Sequence, residues 1–491
     1  MPIADRIRWA GLAAGPLAAA LLYLLLPVAD AGGLSDAGRA TAAIGVWMAL
    51  WWMTEAIPLA ATALLPVVLF PLTGALPAAQ ALRPYASDIV FLFMGGFMIG
   101  LAMQRWGLHT RIALGIVRLV GTAPMRLVAG FMLATASLSL WISNTAATVM
   151  LLPVGISCIE LLRRHLDESD PATAAALRNL GTCLMLGIAY GASIGGLGTL
   201  IGSPPNLVLA NYARAELGQE ITMLAWMKIG LPLVALMLPL CWLYLTRLVF
   251  PVRLRVPDAA RTEIHDELGR IGPMNRGERI VLVVFVGTAL GWIFRPQLVA
   301  LTGLEALTDT TVAMCGALAL FLLPVDWRRR EFALDWETAQ KLPWGVLLLF
   351  GGGLSLAAAI GTNGVDAWLA SGFAGLAGVK PLWVLLAATT LIVFLTELSS
   401  NTATANTFIP ILAAAAIGLG IEPMPVLFAA ALAATCAFML PVATPPNAIV
   451  FASGLVGIGQ MMRAGLGLNL MAIVLIALAI RLFGDWLLPA W

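Results

Sequence analysis

The chain has 491 residues, 60% of them hydrophobic and only 11% charged, with a mean hydropathy of +0.94. A soluble domain carries roughly 25% charged residues, so this chain needs lipid around it and leaves no room for a sizeable soluble domain. A net charge of only +2 gives no electrostatic case for a nucleic-acid partner.

The first apolar run, Trp9 to Val28, lacks a small-residue cleavage site ahead of polar sequence and reads as a retained helix, not a signal peptide. Segments long enough to cross a bilayer fall near 8–29, 41–58, 60–76 and 89–107. Met125 to Arg164 is too long for one span. Arg118 and Arg126 flank one end and Arg163 and Arg164 the other, so both ends belong on one face. That segment, near 125–164, reads as a re-entrant hairpin with Ser143-Asn144-Thr145 at its tip, where irregular backbone is tolerated only inside protein or beside a cavity. Crossings near 180–210 and 223–250 follow, then a polar loop over 251–279 with six arginines. Three more crossings lie near 279–301, 308–325 and 343–361. The stretch 382–420 reads as a second hairpin with Ser400-Asn401-Thr402 at its tip, and crossings near 425–456 and 465–488 close the chain.

The predicted fold is an all-α polytopic membrane protein with about eleven transmembrane helices and two re-entrant helical hairpins. Arg-rich connections alternate along the chain with connections poor in Lys and Arg, such as 30–39, 77–88 and 362–382, and the Arg-rich set belongs on one face; this places the N-terminus and the 251–279 loop in the cytoplasm of a cell (inner) membrane. The odd count leaves the C-terminus outside. Five crossings separate the hairpins, so the second opens from the opposite face and the tips meet near the midplane.

The chain repeats itself. Ser400 minus Ser143 is 257, Pro410 minus Pro153 is 257, and Phe350 minus Phe93 is 257. Gly-Ser-Pro-Pro-Asn at 202–206 recurs as Ala-Thr-Pro-Pro-Asn at 443–447, and Asn447 minus Asn206 is 241. An odd number of crossings between equivalent points makes this an inverted repeat, an architecture of secondary transporters. Its parts are an N-terminal helix (1–38), a first repeat (39–250), the cytoplasmic loop (251–279) and a second repeat (280–491).

Ser203-Pro204-Pro205-Asn206 and Thr444-Pro445-Pro446-Asn447 each interrupt an apolar helix. Proline removes a donor and frees carbonyls. Unwound carbonyls and hydroxyls suit a hard cation, and half-helix N-termini suit an anion. Neither the tips nor the breaks contain Arg, Lys or His, so a bound anion must be neutralised by helix dipoles and co-bound cations. This argues for cation coupling without separating Na⁺ from H⁺. Paired carboxylates, a metal cluster or a Ser–His or Ser–Lys pair inside the membrane would mark an enzyme, and the sequence offers none.

The paired Ser-Asn-Thr motifs and Pro-Pro-Asn breaks, with WWMTEAIPLAATALLP at 51–66 and GGLGTLIGSPPNLVLA at 195–210, resemble the divalent anion/sodium symporters, transporters of C4-dicarboxylates such as succinate. The likeness runs from about 40 to 488. It implies Na⁺ as the coupled ion, a small dicarboxylate anion as cargo, a homodimer in the lipid bilayer and an elevator-type motion. Some members of the family are Na⁺-independent exchangers, the alternative to symport. By this resemblance one Na⁺ is held by Ser139, Ser143, Asn144 and the Gly202 carbonyl. A second is held by Thr396, Ser400, Asn401 and backbone near Ser399 and Ala443. Substrate carboxylates meet Ser143, Asn144, Thr145, Ser400, Asn401 and Thr402, with Ser203, Pro204, Thr444 and Pro445 lining the same pocket.

Other polar residues carry two readings. Glu397 is either a proton-coupling carboxylate or an acceptor that ties the arms of its hairpin together, and its first-half counterpart is Leu140. Glu55 reads as structural, near a helix end beside Pro58. His109, His165 and His265 read as lying in polar connections. Trp51, Trp52, Trp344 and Trp491 read as interface anchors. The five cysteines are scattered in apolar contexts and read as small hydrophobes.

Overall fold

The computed structural model describes residues 3–29, 33–166, 169–254, 256–269, 272–373 and 378–483; Arg255, Arg270 and Trp491 lie outside them. The regular structure described is helical apart from one short ribbon, Pro324–Asp326 against Glu331–Phe332. Seven helices are long and apolar enough to cross a bilayer, or eight if the bent pair Arg276–Ile293 and Arg295–Thr302 forms one span. Several helices that start from polar connections carry side-chain caps that accept from the first free N–H groups. Ser35 caps Asp36–Thr54, Asp170 caps Pro171–Gly195 and Thr222 caps Met223–Leu243. Asn275 and Glu278 form a reciprocal capping box on Arg276–Ile293.

Both expected breaks are present. The 180–210 stretch is Pro171–Gly195 followed by Pro204–Glu216, and the 425–456 stretch is Pro423–Thr435 followed by Pro445–Ala452. Two further breaks were not legible as such: 60–76 is Leu59–Thr62 then Leu65–Thr73, and 279–301 bends by 76° between its two helices. Each restart has a proline in its first two positions (Pro204, Pro445, Pro66, Pro296), where a missing N–H costs nothing. Three stretches read as connections are helices instead: Leu108–Val120, Asp258–Gly269 and Val365–Phe373. The first presents Leu108, His109, Ala113 and Val117 inward at helical spacing.

That inward face corrects one expectation. His109 is buried, with Nδ1 2.8 Å from the Met103 carbonyl, rather than lying in a polar connection. His165 does sit at a helix end and pairs with Glu263 at 2.7 Å; the side chain of His265 is outside the description. Trp52 is fully buried and donates to the Leu59 carbonyl at 3.2 Å, so it is a core residue and not an interface anchor. Four of the five cysteines are buried, none is in a disulfide, and Cys315 is exposed.

The core is built around two helical stretches buried on all sides. Every residue from Leu180 to Gly195, and from Met424 to Thr435, is buried. Both Gly191 and Gly195 lie against the backbone of Pro124–Ser139: an added methyl would come within 2.8 Å of the Met132 carbonyl at one and 2.3 Å of the Ala136 carbonyl at the other. Small residues one turn apart let the two backbones meet. Gly187 contacts Val128 and Met132, while Gly155 contacts Met185 and Ile188. Pro124–Ser139 and Asn144–His165 therefore double back along the same turns of Pro171–Gly195. In the second half Pro423–Thr435 packs against both Pro381–Leu395 and Asn401–Gly418.

Glu397 fastens the second tip. Its carboxylate accepts from the backbone N–H groups of Phe438, Met439 and Leu440 at 2.7, 2.8 and 3.0 Å, and from Asn469 Nδ2 at 2.8 Å. It is a structural acceptor, but it ties the tip to the neighbouring break and to Ile458–Phe483 rather than one arm to the other. Each buried donor left without a partner costs about 1–3 kcal/mol. Glu397→Leu should therefore unfold several degrees below wild type in detergent, with Glu397→Gln between them. Equal melting midpoints for the Leu variant and wild type would show that the carboxylate holds nothing.

Candidate functional site

The site is assembled from two tips and two breaks. Ser143 has extended backbone (φ −62°, ψ 145°) and caps Asn144–His165, its Oγ accepting from Ala146 N at 3.3 Å. Ser400 has nearly the same dihedrals (φ −62°, ψ 135°) ahead of Asn401–Gly418. In each copy the hydroxyl five residues before the asparagine donates to its side-chain oxygen. Ser139 Oγ lies 2.5 Å from Asn144 Oδ1, and Thr396 Oγ1 lies 2.8 Å from Asn401 Oδ1.

The breaks match as closely. Asn206 Nδ2 donates to the carbonyls of Gly196 and Thr199 at 2.9 and 2.8 Å. Asn447 Nδ2 donates to those of Ala437 and Leu440 at 3.1 and 3.0 Å. In both, the acceptors stand ten and seven residues earlier. One amide thus replaces two of the N–H groups that the interrupted helix has lost. Ser203 and Thr444, which precede the second half-helices, are both extended (φ −142° and −152°).

Tip and break meet in an oxygen-rich cluster. Asn144 Oδ1 lies 3.2 Å from the carbonyl oxygens of both Ala192 and Gly202, besides Ser139 Oγ. A methyl on Gly202 would come within 2.8 Å of the Gly196 oxygen and 3.0 Å of the Ser139 carbonyl. Oxygen inward, the Asn144 amide completes a set suited to a hard cation. Turned by half a revolution, it would donate to Ala192, Gly202 and Ser139 instead. On the second side Thr396 Oγ1 also lies 2.7 Å from the Ala434 carbonyl, so its single proton is shared between that oxygen and Asn401 Oδ1. Ser399 Oγ turns to Thr404 Oγ1 at 2.6 Å.

The outer sides of the tips border two adjoining cavities. Ser143 and Thr145 line one of about 320 Å³, with Trp141, Gln104 and Lys341. Ser400 and Thr402 line one of about 710 Å³, with Leu59, Arg8 and Glu55. Pro343, the residue before Trp344–Thr362, borders both. Three helix N-termini therefore face this space, each with free N–H groups and partial positive charge. Glu55 ends Asp36–Thr54 in left-handed backbone (φ 47°, ψ 40°) and pairs with Arg8 at 3.1 Å. Its structural role is that of a helix terminus, and its place at a cavity wall was not legible.

Residues 7–490 match the transmembrane region of the sodium:sulfate symporters. The chain belongs to that family. It is 41% identical over 472 residues to the sodium-dependent dicarboxylate transporter SdcS of Staphylococcus saprophyticus, covering 96% of this chain and 90% of that one. The same identity and coverage hold for SdcS of Staphylococcus aureus. The fold is similar to that of the Alcanivorax borkumensis YdaH transporter, with a TM-score of 0.57 at 15% identity over 92% of this chain and 99% of the other. Membership makes the protein a transporter and not an enzyme.

Within this family chain the expected residues divide. Ser143, Thr145, Ser400 and Thr402 face the cavities. Asn144 turns inward to the break carbonyls, and Asn401 to Thr396. Ser203 is buried and shares a hydrogen bond with Thr435 Oγ1 at 2.8 Å. Neither it nor Pro204, Thr444 and Pro445 borders the two cavities. The carbonyls of Ala192, Gly196 and Ala434 could not be found from sequence, because a backbone oxygen has no residue type. Asn206→Ala and Asn447→Ala should each loosen a break, lower the melting midpoint and cost about tenfold or more in transport, since small misplacements in a preorganised site are expensive. Wild-type flux in either variant would show that the amides are dispensable.

Proposed function

We propose that this chain is a sodium-coupled symporter of C4-dicarboxylates such as succinate, working by elevator-type alternating access as a homodimer in the cell membrane. The observation that carries the reading is the duplicated unit of a hydroxyl–asparagine tip against a carbonyl-lined break, with both tips open to the space around Pro343. The sodium-dependent dicarboxylate transporters that share 41% of its residues support the ion and the cargo. Ser139, Ser143, Asn144 and the Gly202 carbonyl hold one Na⁺, joined by the Ala192 carbonyl. Thr396, Ser400, Asn401 and backbone near Ser399 and Ala443 hold the other, joined by the Ala434 carbonyl. Ser143, Thr145, Ser400 and Thr402, with the asparagines behind them, receive the substrate carboxylates. Ser203, Pro204, Thr444 and Pro445 shape the breaks.

The chemistry follows from charge. A dicarboxylate carries two negative charges at neutral pH, and the tips and breaks contain no cationic side chain. Bringing charge into low dielectric costs several kcal/mol. Two cations directly behind the tips offset it, and the helix N-termini add smaller terms. Ion and substrate binding must then favour each other reciprocally. In proteoliposomes, succinate uptake should rise sigmoidally with Na⁺, with a Hill coefficient above one, and Asn144→Ala and Asn401→Ala should abolish it in folded protein. Succinate affinity unchanged when choline replaces Na⁺ would remove the mechanism and point to exchange.

The topology we propose has eleven crossings, a cytoplasmic N-terminus and two re-entrant hairpins from opposite faces. The two halves, 39–250 and 280–491, are inverted repeats joined by a cytoplasmic loop. Single cysteines placed at Arg164 and Lys380 in a cysteine-free background should react with impermeant maleimide from opposite sides. Labelling of both from one side would refute the inversion.

A further inference from the structure

One charge beside the tips belongs to no motif. Lys341 follows the short helix Trp336–Ala339, and its backbone N–H donates to the Thr338 carbonyl at 3.1 Å. It stands two residues before Pro343 and lines the same cavity as Ser143 and Thr145. Three charged residues border the two cavities: Arg8 and Glu55 the larger, Lys341 the smaller. Glu55, the one carboxylate, is engaged by Arg8 at 3.1 Å. Lys341 is exposed and has no carboxylate partner among the described residues. The wall around the tips therefore carries one uncompensated positive charge, with the positive end of Trp344–Thr362 beside it.

We propose that Lys341 is the positioning residue for the dicarboxylate on the face where these cavities open: it attracts the dianion and holds one carboxylate before the tips and Na⁺ take it. This rests on the dicarboxylate reading above. A cation at the rim of an apolar cavity concentrates opposite charge, mainly through the association rate, and salt screens its effect. The protein thus has two unequal mouths. Binding from the Lys341 face is assisted by a fixed charge, while binding from the other face does not meet it. An ammonium is a compact point charge on a flexible stem, so Arg can replace it here.

The test measures succinate flux from each face of oriented proteoliposomes, with the Lys341 face identified by impermeant labelling of Lys341→Cys. For Lys341→Ala, KM from that face should rise on the order of three- to tenfold at low ionic strength. The maximal rate and the KM from the opposite face should stay near wild type. Lys341→Arg should restore the wild-type KM, Lys341→Glu should raise it further, and the Ala-to-wild-type difference should shrink as choline chloride screens the charge at constant Na⁺. A KM unchanged by Lys341→Ala, one raised equally from both faces, or one not rescued by Arg overturns the inference while wild-type flux stands. Wild-type vesicles that move no dicarboxylate under a Na⁺ gradient overturn the dicarboxylate reading and this inference together.

Discussion

Backbone N–H and C=O groups inside a bilayer have no water to bond, and this requirement shapes the whole molecule. A protein that must place irregular backbone at membrane depth has to supply each lost partner from elsewhere. Here the supply is explicit. Asn206 and Asn447 take two break carbonyls each, and Glu397 takes three break N–H groups. The two innermost helical stretches, residues 180–195 and 424–435, are buried on every side and lead into these segments. The carbonyls of Ala192 and Gly202 lie beside Asn144, the first of them also accepting from Gly196 N at 3.0 Å, and each keeps a lone pair that a cation can use. On the proposed function, the ion-binding chemistry would be a by-product of how helices are interrupted, with neutral oxygens as ligands.

The halves solve the same problem with different parts. Both asparagine anchors reach back ten and seven residues, and both tip asparagines take a hydroxyl from five residues before. Only the second half carries a buried carboxylate between tip and break; Leu140 stands at the equivalent place in the first. The first break is held on its other side by Thr199 Oγ1, which donates to the Leu140 carbonyl and accepts from Gly202 N at 3.1 Å. A side-chain hydroxyl bonded to backbone does there what Glu397 does opposite. At this one support the halves reach similar geometry with dissimilar residues, while the tip and break asparagines recur in both.

Much of this was legible in the sequence because the signals are local. Ser-Asn-Thr and Pro-Pro-Asn announce a polar turn and a break wherever they stand in an apolar run, and two copies in matched order announce a repeat. The structure places those breaks where the prolines put them. The breaks at Pro66 and Pro296 were missed, since a single proline in an apolar stretch is equally compatible with a kink. Trp52 and His109 were misplaced for the opposite reason: residue type suggested an interface or a loop, and only tertiary packing shows that both are covered. Arg8, Glu55 and Lys341 lie far apart in sequence and are gathered by the fold, so no pattern could have joined them.

The hydroxyl pair Ser203–Thr435 has a consequence for coupling fidelity. It links the first break to the helix leading into the second, and Tyr190, donating to the Phe438 carbonyl at 2.7 Å, makes a second link between the same halves. Both links are buried and join the parts that carry the two oxygen sets. If the two oxygen sets hold the coupled ions, as proposed, displacing one set without the other would break both hydrogen bonds. Slippage, in which one ion crosses alone and dissipates the gradient, would require this double clasp to open. On that proposal the clasp would favour moving both ions together over moving either alone.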